Sequence, residues 1–225
     1  MSSTYVITGG SRGIGLEFAR QLSARGDTVI ATARDPERAA DLSRAAARVI
    51  PLDVTDPASI ESLPSHLDGV SIDVLINNAG VSSEQKTISQ CGAAELQRVF
   101  MVNSTAPVLV ARALLDRLRA GRRRQIVNIT SQLGSISNNT GGSSYPYRAS
   151  KAALNMLTRS MANELSNEGF VCVAVHPGWV RTDMGGPSAP LAPSKAVAAM
   201  LRLFDRLDAG QNGHFLNFDG ASIPW

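Results

Sequence analysis

Tyr147 and Lys151, in the run Tyr147-Arg148-Ala149-Ser150-Lys151, are the pair in this sequence best suited to moving a proton. Positions four apart on a helix share a face, so the phenol and the ammonium would point the same way. A free phenol titrates near ~10 and is a poor acid or base at neutral pH. A neighbouring cation favours the phenolate and draws that value toward the working range. Tyrosine and lysine at this spacing also decorate ordinary exposed helices, so the pair takes its meaning from what surrounds it.

The surrounding elements alternate. Residues 4–8 read as a buried strand, broken by glycines from Gly9 to Gly15, after which Ile14, Leu16, Phe18, Ala19 and Leu22 form a helical apolar stripe closed by Gly26. Further strands are expected at 28–32, 48–52, 74–76, 125–130, 171–175 and 214–218. Helices are expected to open at Pro36 and Pro57, to span roughly 93–120 with a kink or junction at Pro107, to carry Tyr147, and to begin near Ser194. Strands alternating with helices imply α/β architecture: a doubly wound parallel sheet of about seven strands with helices on both faces. No linker or low-complexity stretch divides it, so residues 1–225 are expected to form a single Rossmann-fold domain.

Ligands of such sheets bind past the carboxyl ends of the strands, and each candidate motif falls there. Thr8-Gly9-Gly10-Ser11-Arg12-Gly13-Ile14-Gly15 follows the first strand; glycines there let the backbone approach a pyrophosphate, and the helix start offers free N–H groups. The second strand ends Ala31-Thr32-Ala33-Arg34, with no acid before Asp35 to accept bonds from a ribose. Arg12 and Arg34 suit a 2′-phosphate, which favours NADP(H) over NAD(H); alternatively both are solvated surface arginines. Asp53-Val54 could hold an adenine amino group or simply cap a turn. Asn77, Ala79 and Gly80 would close over a ribose, and the Pro177-Gly178-Trp179-Val180-Arg181-Thr182 turn would face a nicotinamide carboxamide.

Composition excludes other classes. With 44% hydrophobic and 18% charged residues the chain is an ordinary globular sequence, and a net charge of +3 is only mildly basic. Arg122-Arg123-Arg124 lacks interleaved aromatics and any recognised nucleic-acid motif, so no nucleic-acid partner is expected. No run reaches the roughly 18 apolar residues of a membrane span, and no secretory leader is visible. Cys91 and Cys172 are the two cysteines, so neither a disulfide framework nor a zinc site is expected, which fits a cytoplasmic location.

Taken together, TGGSRGIG, the Asp53-Val54 pair, NNAG, YRASK and PGWVRT resemble the short-chain dehydrogenase/reductase family in order and over essentially the whole chain. The Ser/Asn/Gly-rich loop before YPYRASKAALN, the brief stretch TDMGGPSAPLAPSKA and the ending FLNFDGASIPW look like the sniffer and C-factor type of carbonyl reductase. The resemblance implies Tyr147 as acid-base catalyst and Lys151 as its cationic neighbour and ribose ligand. It implies Ser131 as the group polarising the carbonyl and Asn103 as the residue positioning a relay water. Tyr147 and Lys151 would thus also touch the cofactor. Gln132, Leu133, Tyr145, Trp179 and Met184 stand where the family builds its substrate pocket, or are ordinary packing, and a short substrate-binding segment is expected around 183–195. The implied activity is NADPH-dependent interconversion of a small-molecule carbonyl and its alcohol, in a homodimer or homotetramer. The alternative is a C-factor-like signalling or binding protein with little turnover.

Overall fold

Short runs of β-branched and aliphatic residues, ended by glycine, proline or asparagine, form strands buried on both faces. The computed structural model describes residues 2–225. Its strands are β1 (Thr4–Ile7), β2 (Thr28–Ala33), β3 (Arg48–Pro51), β4 (Val74–Asn77), β5 (Gln125–Ile129), β6 (Val171–His176) and β7 (Phe215–Asn217). They make one seven-stranded sheet in the order β3-β2-β1-β4-β5-β6-β7. Every pairing is parallel, with Tyr5 opposite Val29 on one side of β1 and opposite Val74 on the other. The helices are α1 (Gly13–Ala24), α2 (Ala40–Ala45), α3 (Pro57–Glu61), α4 (Ala93–Phe100), α5 (Ala106–Ala113), α6 (Leu115–Arg119), α7 (Tyr145–Glu164) and α8 (Pro193–Phe204).

Side-chain alternation along the strands divides the core in two. Tyr5, Ile7, Ile76 and Val175 face α1 and α8, where the rings of Phe18 and Phe204 stack with centroids 5.8 Å apart. Val6, Leu75, Ile126 and Cys172 face the other way, onto Val110, Leu114 and Ala162. Each large side chain buried there contributes roughly 2 kcal/mol, so helices of modest propensity are held by their inner faces. Because β1 sits between β2 and β4, successive crossovers leave it in opposite directions and open a crevice past the strand ends.

Two helices differ from expectation. The helix expected at Pro36 begins at Ala40, because Asp35 pairs with Arg38 and accepts its N–H, closing a turn over 35–39. The single helix expected over 93–120 is interrupted. Residues Met101–Thr105 form a π-helical turn in which the Ala106 N–H bonds the Met101 carbonyl, and Pro107 follows in the first turn of α5. Proline has no N–H to give the carbonyl one turn back, so the regular ladder cannot continue there.

Candidate active site

A cleft of about 680 Å³ opens past the carboxyl ends of β1, β2 and β4, a size suited to a dinucleotide-scale ligand. Its floor is the glycine turn. Gly9 has φ +70°, and a Cβ added to it would lie 2.9 Å from the Ala79 Cα. A Cβ on Gly15 would lie 2.3 Å from the Gly9 carbonyl oxygen, so α1 packs on this turn only through glycine. The turn is tied to the next wall by Thr8 and Asn78. The Thr8 Oγ1 accepts from the N–H groups of Asn78 and Ala79, both at 3.1 Å, while Asn78 Nδ2 donates to the carbonyls of Thr8 and Gly9, both at 3.0 Å. Helix α1 has no side-chain cap and no acid in its first turn, leaving its N-terminal N–H groups for an anion. The bare cradle, the uncapped helix start and the neighbouring arginines fit a dinucleotide phosphate.

Arg34 and Asp53 line the cleft where β2 and β3 end. Bonds from Thr55, at 2.8 Å from its N–H and 2.7 Å from its hydroxyl, hold the Asp53 carboxyl below its ordinary range, and the charge of Arg34 adds to them. Asp53 therefore caps a turn and borders the cleft at once. Arg12 reaches across the mouth to Asp183 at 3.0 Å, with both side chains about three-quarters exposed. Solvent screening makes that pair worth little.

Further along, Tyr147 and Lys151 line the cleft, while Ser131 and Asn103 lie outside its lining. Lys151 is buried, donates from Nζ to the Ile129 carbonyl at 2.9 Å, and lies 5.8 Å from the centre of the Tyr147 ring. Burial pushes its ammonium down to about 8. The Tyr147 phenol is raised, because burial outweighs the opposing hydrogen bond from Ser131. That corrects the expectation of a phenol drawn down by its lysine neighbour: desolvation disfavours both charged forms, and it dominates. The Ser131 Oγ accepts from the Leu133 N–H at 3.1 Å, which leaves its proton to donate. Asn103 is fully buried at the π-helical turn. Its Oδ1 accepts from the Val81 N–H at 2.8 Å and its Nδ2 donates to the Val81 carbonyl at 2.9 Å and to Ser150 Oγ at 3.0 Å. Ser150 in turn donates to the Tyr147 carbonyl at 2.8 Å, so Asn103 joins the loop after β4 to α7.

Gly9, Ser11, Arg12, Gly13, Ile14, Arg34, Asp53, Val54, Ala79, Gly80, Tyr147, Lys151, Pro177, Thr182 and Met184 all line the cleft. Asn77 does not. It is buried in the sheet, donating to Asn128 Oδ1 at 2.9 Å and to the Pro107 carbonyl at 3.2 Å, and its neighbour Asn78 faces the cleft instead. Gly15, Gly178 and Val180 stand behind the lining: a Cβ on Gly178 would meet Leu191 at 2.7 Å, and Val180 bridges to Leu191. Gln132, Leu133, Tyr145 and Trp179 also lie outside it, with Trp179 55% exposed and its Nε1 donating to the Gly185 carbonyl. From the two expected stretches 77–80 and 177–182 the structure also brings Asn78 and Arg181 to the lining, and it adds Arg98 and Asp183. Asp183 follows β6 in the sequence, and that position was its available signal.

Residues 3–190 match the short chain dehydrogenase family. Over 154 residues the chain is 47% identical to the C-signal of Myxococcus xanthus, covering 68% of this chain and 93% of that protein. The solved carbonyl reductase Sniffer of D. melanogaster superposes with a TM-score of 0.94 at 32% identity, over all of both chains. An NADPH-bound carbonyl reductase from chicken fatty liver superposes with a TM-score of 0.91 at 36% identity, over 100% of this chain and 99% of that one.

Proposed function

The chain belongs to the short-chain dehydrogenase family and is an NAD(P)-dependent oxidoreductase, and from that premise we propose that it interconverts a ketone or aldehyde and its alcohol with NADP(H). The observation that carries this reading is the meeting of Ser131, Tyr147 and Lys151 beside the glycine-floored cleft. Gly9, Gly13 and the start of α1 would hold the pyrophosphate, while Arg12 and Arg34 would take the 2′-phosphate. The likeness to an NADPH-bound carbonyl reductase supports the same preference. When bound, the nicotinamide supplies the hydride.

The protein's own part is orientation and proton supply. Ser131, with its Oγ fixed as acceptor from Leu133, donates its proton to the carbonyl oxygen. The raised Tyr147 keeps its phenol protonated at neutral pH, the form needed to donate as charge develops on that oxygen. Lys151 donates one N–H to the Ile129 carbonyl, and its others would be free to hold the cofactor ribose beside Tyr147. Residues 1–225 act as one domain, Met184 marks the substrate side, and the subunits associate as a dimer or tetramer.

Nicotinamide fluorescence titrations should show NADPH binding more tightly than NADH, and Arg34→Ala should remove about ten-fold of that preference. A panel of ketones and aldehydes should then drive NADPH oxidation, with Tyr147→Phe still binding NADPH but losing at least ~100-fold in turnover. Undiminished turnover in Tyr147→Phe would sink the assignment. The likeness to C-signal favours a second reading, signalling without turnover, which predicts binding of NADPH but no oxidation with any carbonyl.

A further inference from the structure

Ser131 caps a single 3-10 turn, Gln132–Gly134, that follows β5. The Gly134 N–H bonds the Ser131 carbonyl at 2.8 Å, and the Ser135 N–H bonds the Gln132 carbonyl at 3.0 Å. On one side this turn rests on α7: a Cβ on Gly134 would lie 2.8 Å from the Lys151 carbonyl carbon, and Asn155 Nδ2 donates to the Gly134 carbonyl at 3.3 Å. On its other side lies a segment almost 90 residues away in sequence. Ser135, 1% exposed, donates from Oγ to the Pro224 carbonyl at 2.6 Å and accepts from the Asn138 N–H at 3.2 Å. The Ser137 N–H donates to the Trp225 carbonyl at 2.9 Å.

That segment is itself anchored. Residues 221–225 turn back along β7, with the Asn217 N–H on the Ala221 carbonyl at 2.7 Å and the Ile223 N–H on the Phe215 carbonyl at 2.8 Å. The Trp225 ring stacks on Phe215 with centroids 5.6 Å apart. Trp225 keeps 40% of its surface exposed, so the fold does not need it as core.

We propose that Ser135 and residues 221–225 form a clasp that fixes the Ser131 hydroxyl against the substrate carbonyl, which makes Ser135 and Trp225 positioning residues. The inference rests on the function proposed for Ser131. With the clasp in place the turn is gripped between α7 and β7; without it, one side of the turn faces water and the hydroxyl can drift. Small misplacements of a reacting group cost large factors in rate, while the glycine turn that would hold the cofactor lies across the sheet and is untouched.

The test is steady-state reduction of para-nitrobenzaldehyde by NADPH, together with fluorescence titration of NADPH. Trp225→Ala and Ser135→Ala should each lower kcat about ten-fold, leave the NADPH Kd within about two-fold, and change KM little. Ser135→Thr, which keeps the hydroxyl, should restore kcat. In a Ser131→Ala background the clasp substitutions should cost nothing further, because the group they position is gone. Full turnover in a folded Trp225→Ala, effects that multiply with Ser131→Ala, or an equal loss of NADPH affinity would each overturn the clasp. Should Ser135→Ala not fold, Trp225→Ala decides alone, since its side chain is part-exposed. Full turnover in Ser131→Ala by itself would mark failure of the parent reading, and the clasp would fall with it.

Discussion

Lys151 is a residue that works against the stability of its own fold. Moving its ammonium from an unfolded value of 10.5 to about 8 is a cost on the order of 3 kcal/mol at neutral pH, set by burial. Its bond to the Ile129 carbonyl returns part of that. Lys151→Met should therefore lose most turnover yet gain about 1 kcal/mol, a rise of roughly 2–4 °C in Tm by calorimetry. A lower Tm would mean that the lost hydrogen bond outweighs desolvation. That Tyr147 and Lys151 would share a helix face was legible from their spacing, whereas Ser131 entered only through the family resemblance. The sign of the Tyr147 shift was not legible, because burial is a property of the packed site. Asn77 and Asn78 illustrate the same limit on a smaller scale: the dipeptide does not say which asparagine meets the cleft. Strand parity does. Asn77 shares a face with Leu75, which is buried toward α5 and α7, so Asn78 turns toward the glycine turn.

Among the elements, the π-helical turn at Met101–Thr105 is the one that places a buried polar group, Asn103, against the loop after β4. Pro107 enforces it by withholding an N–H, and its own carbonyl accepts from Asn77 Nδ2 at 3.2 Å. Pro107→Ala restores a donor and favours a regular α-helical ladder, which would rotate Asn103 out of register with Val81 and Ser150. The expected result is about ten-fold lower turnover with unfolding stability unchanged or higher. Unaltered turnover together with unaltered Asn103 side-chain amide shifts by NMR would show that the turn survives without proline. The strands were legible because burial on both faces leaves continuous apolar runs. A π turn adds a residue locally without disturbing the apolar stripe on either side, so the proline was its one mark in the sequence. The delayed start of α2 has a similar cause, since Asp35 and Arg38 close a turn where Pro36 would have been free to begin a helix.

At the scale of the whole molecule, burial of ionisable groups sets how stability depends on pH. Cys172 is the second residue of β6 and His176 its last, and parity puts both on the face toward α7. His176 has a buried Nδ1 without a hydrogen-bond partner among the described residues, and burial pushes it down to about 4. Between that value and its unfolded 6.5 the unfolded chain binds more protons, so the contribution is complete above 6.5 and lost as pH falls toward 4. Burial pushes Cys172 up to about 12 from 9.0; the native state binds the extra proton, and stability is lost as pH climbs through that window. The phenols of Tyr5 and Tyr147, both raised by burial, act in the same direction at still higher pH. Lys151 opposes them, adding stability as pH rises from about 8 to 10.5. The sum is level from 6.5 to about 8, rises as Lys151 gives up its proton, levels where the loss from Cys172 sets in at 9.0, and falls once the phenols join above 10.0 and Lys151 has nothing further to add above 10.5. Urea unfolding followed by tryptophan fluorescence should show it, with a loss of up to about 3 kcal/mol between pH 6.5 and pH 4. His176→Asn should flatten the acid limb and leave the alkaline side, whereas Cys172→Ala should leave the acid limb and let the Lys151 rise continue above 9.0 until the phenols reverse it. An acid limb of the same depth in His176→Asn would move the cause to the carboxylates, of which Asp73 is held low by the backbone N–H groups of Thr4 and Arg122 against its own burial.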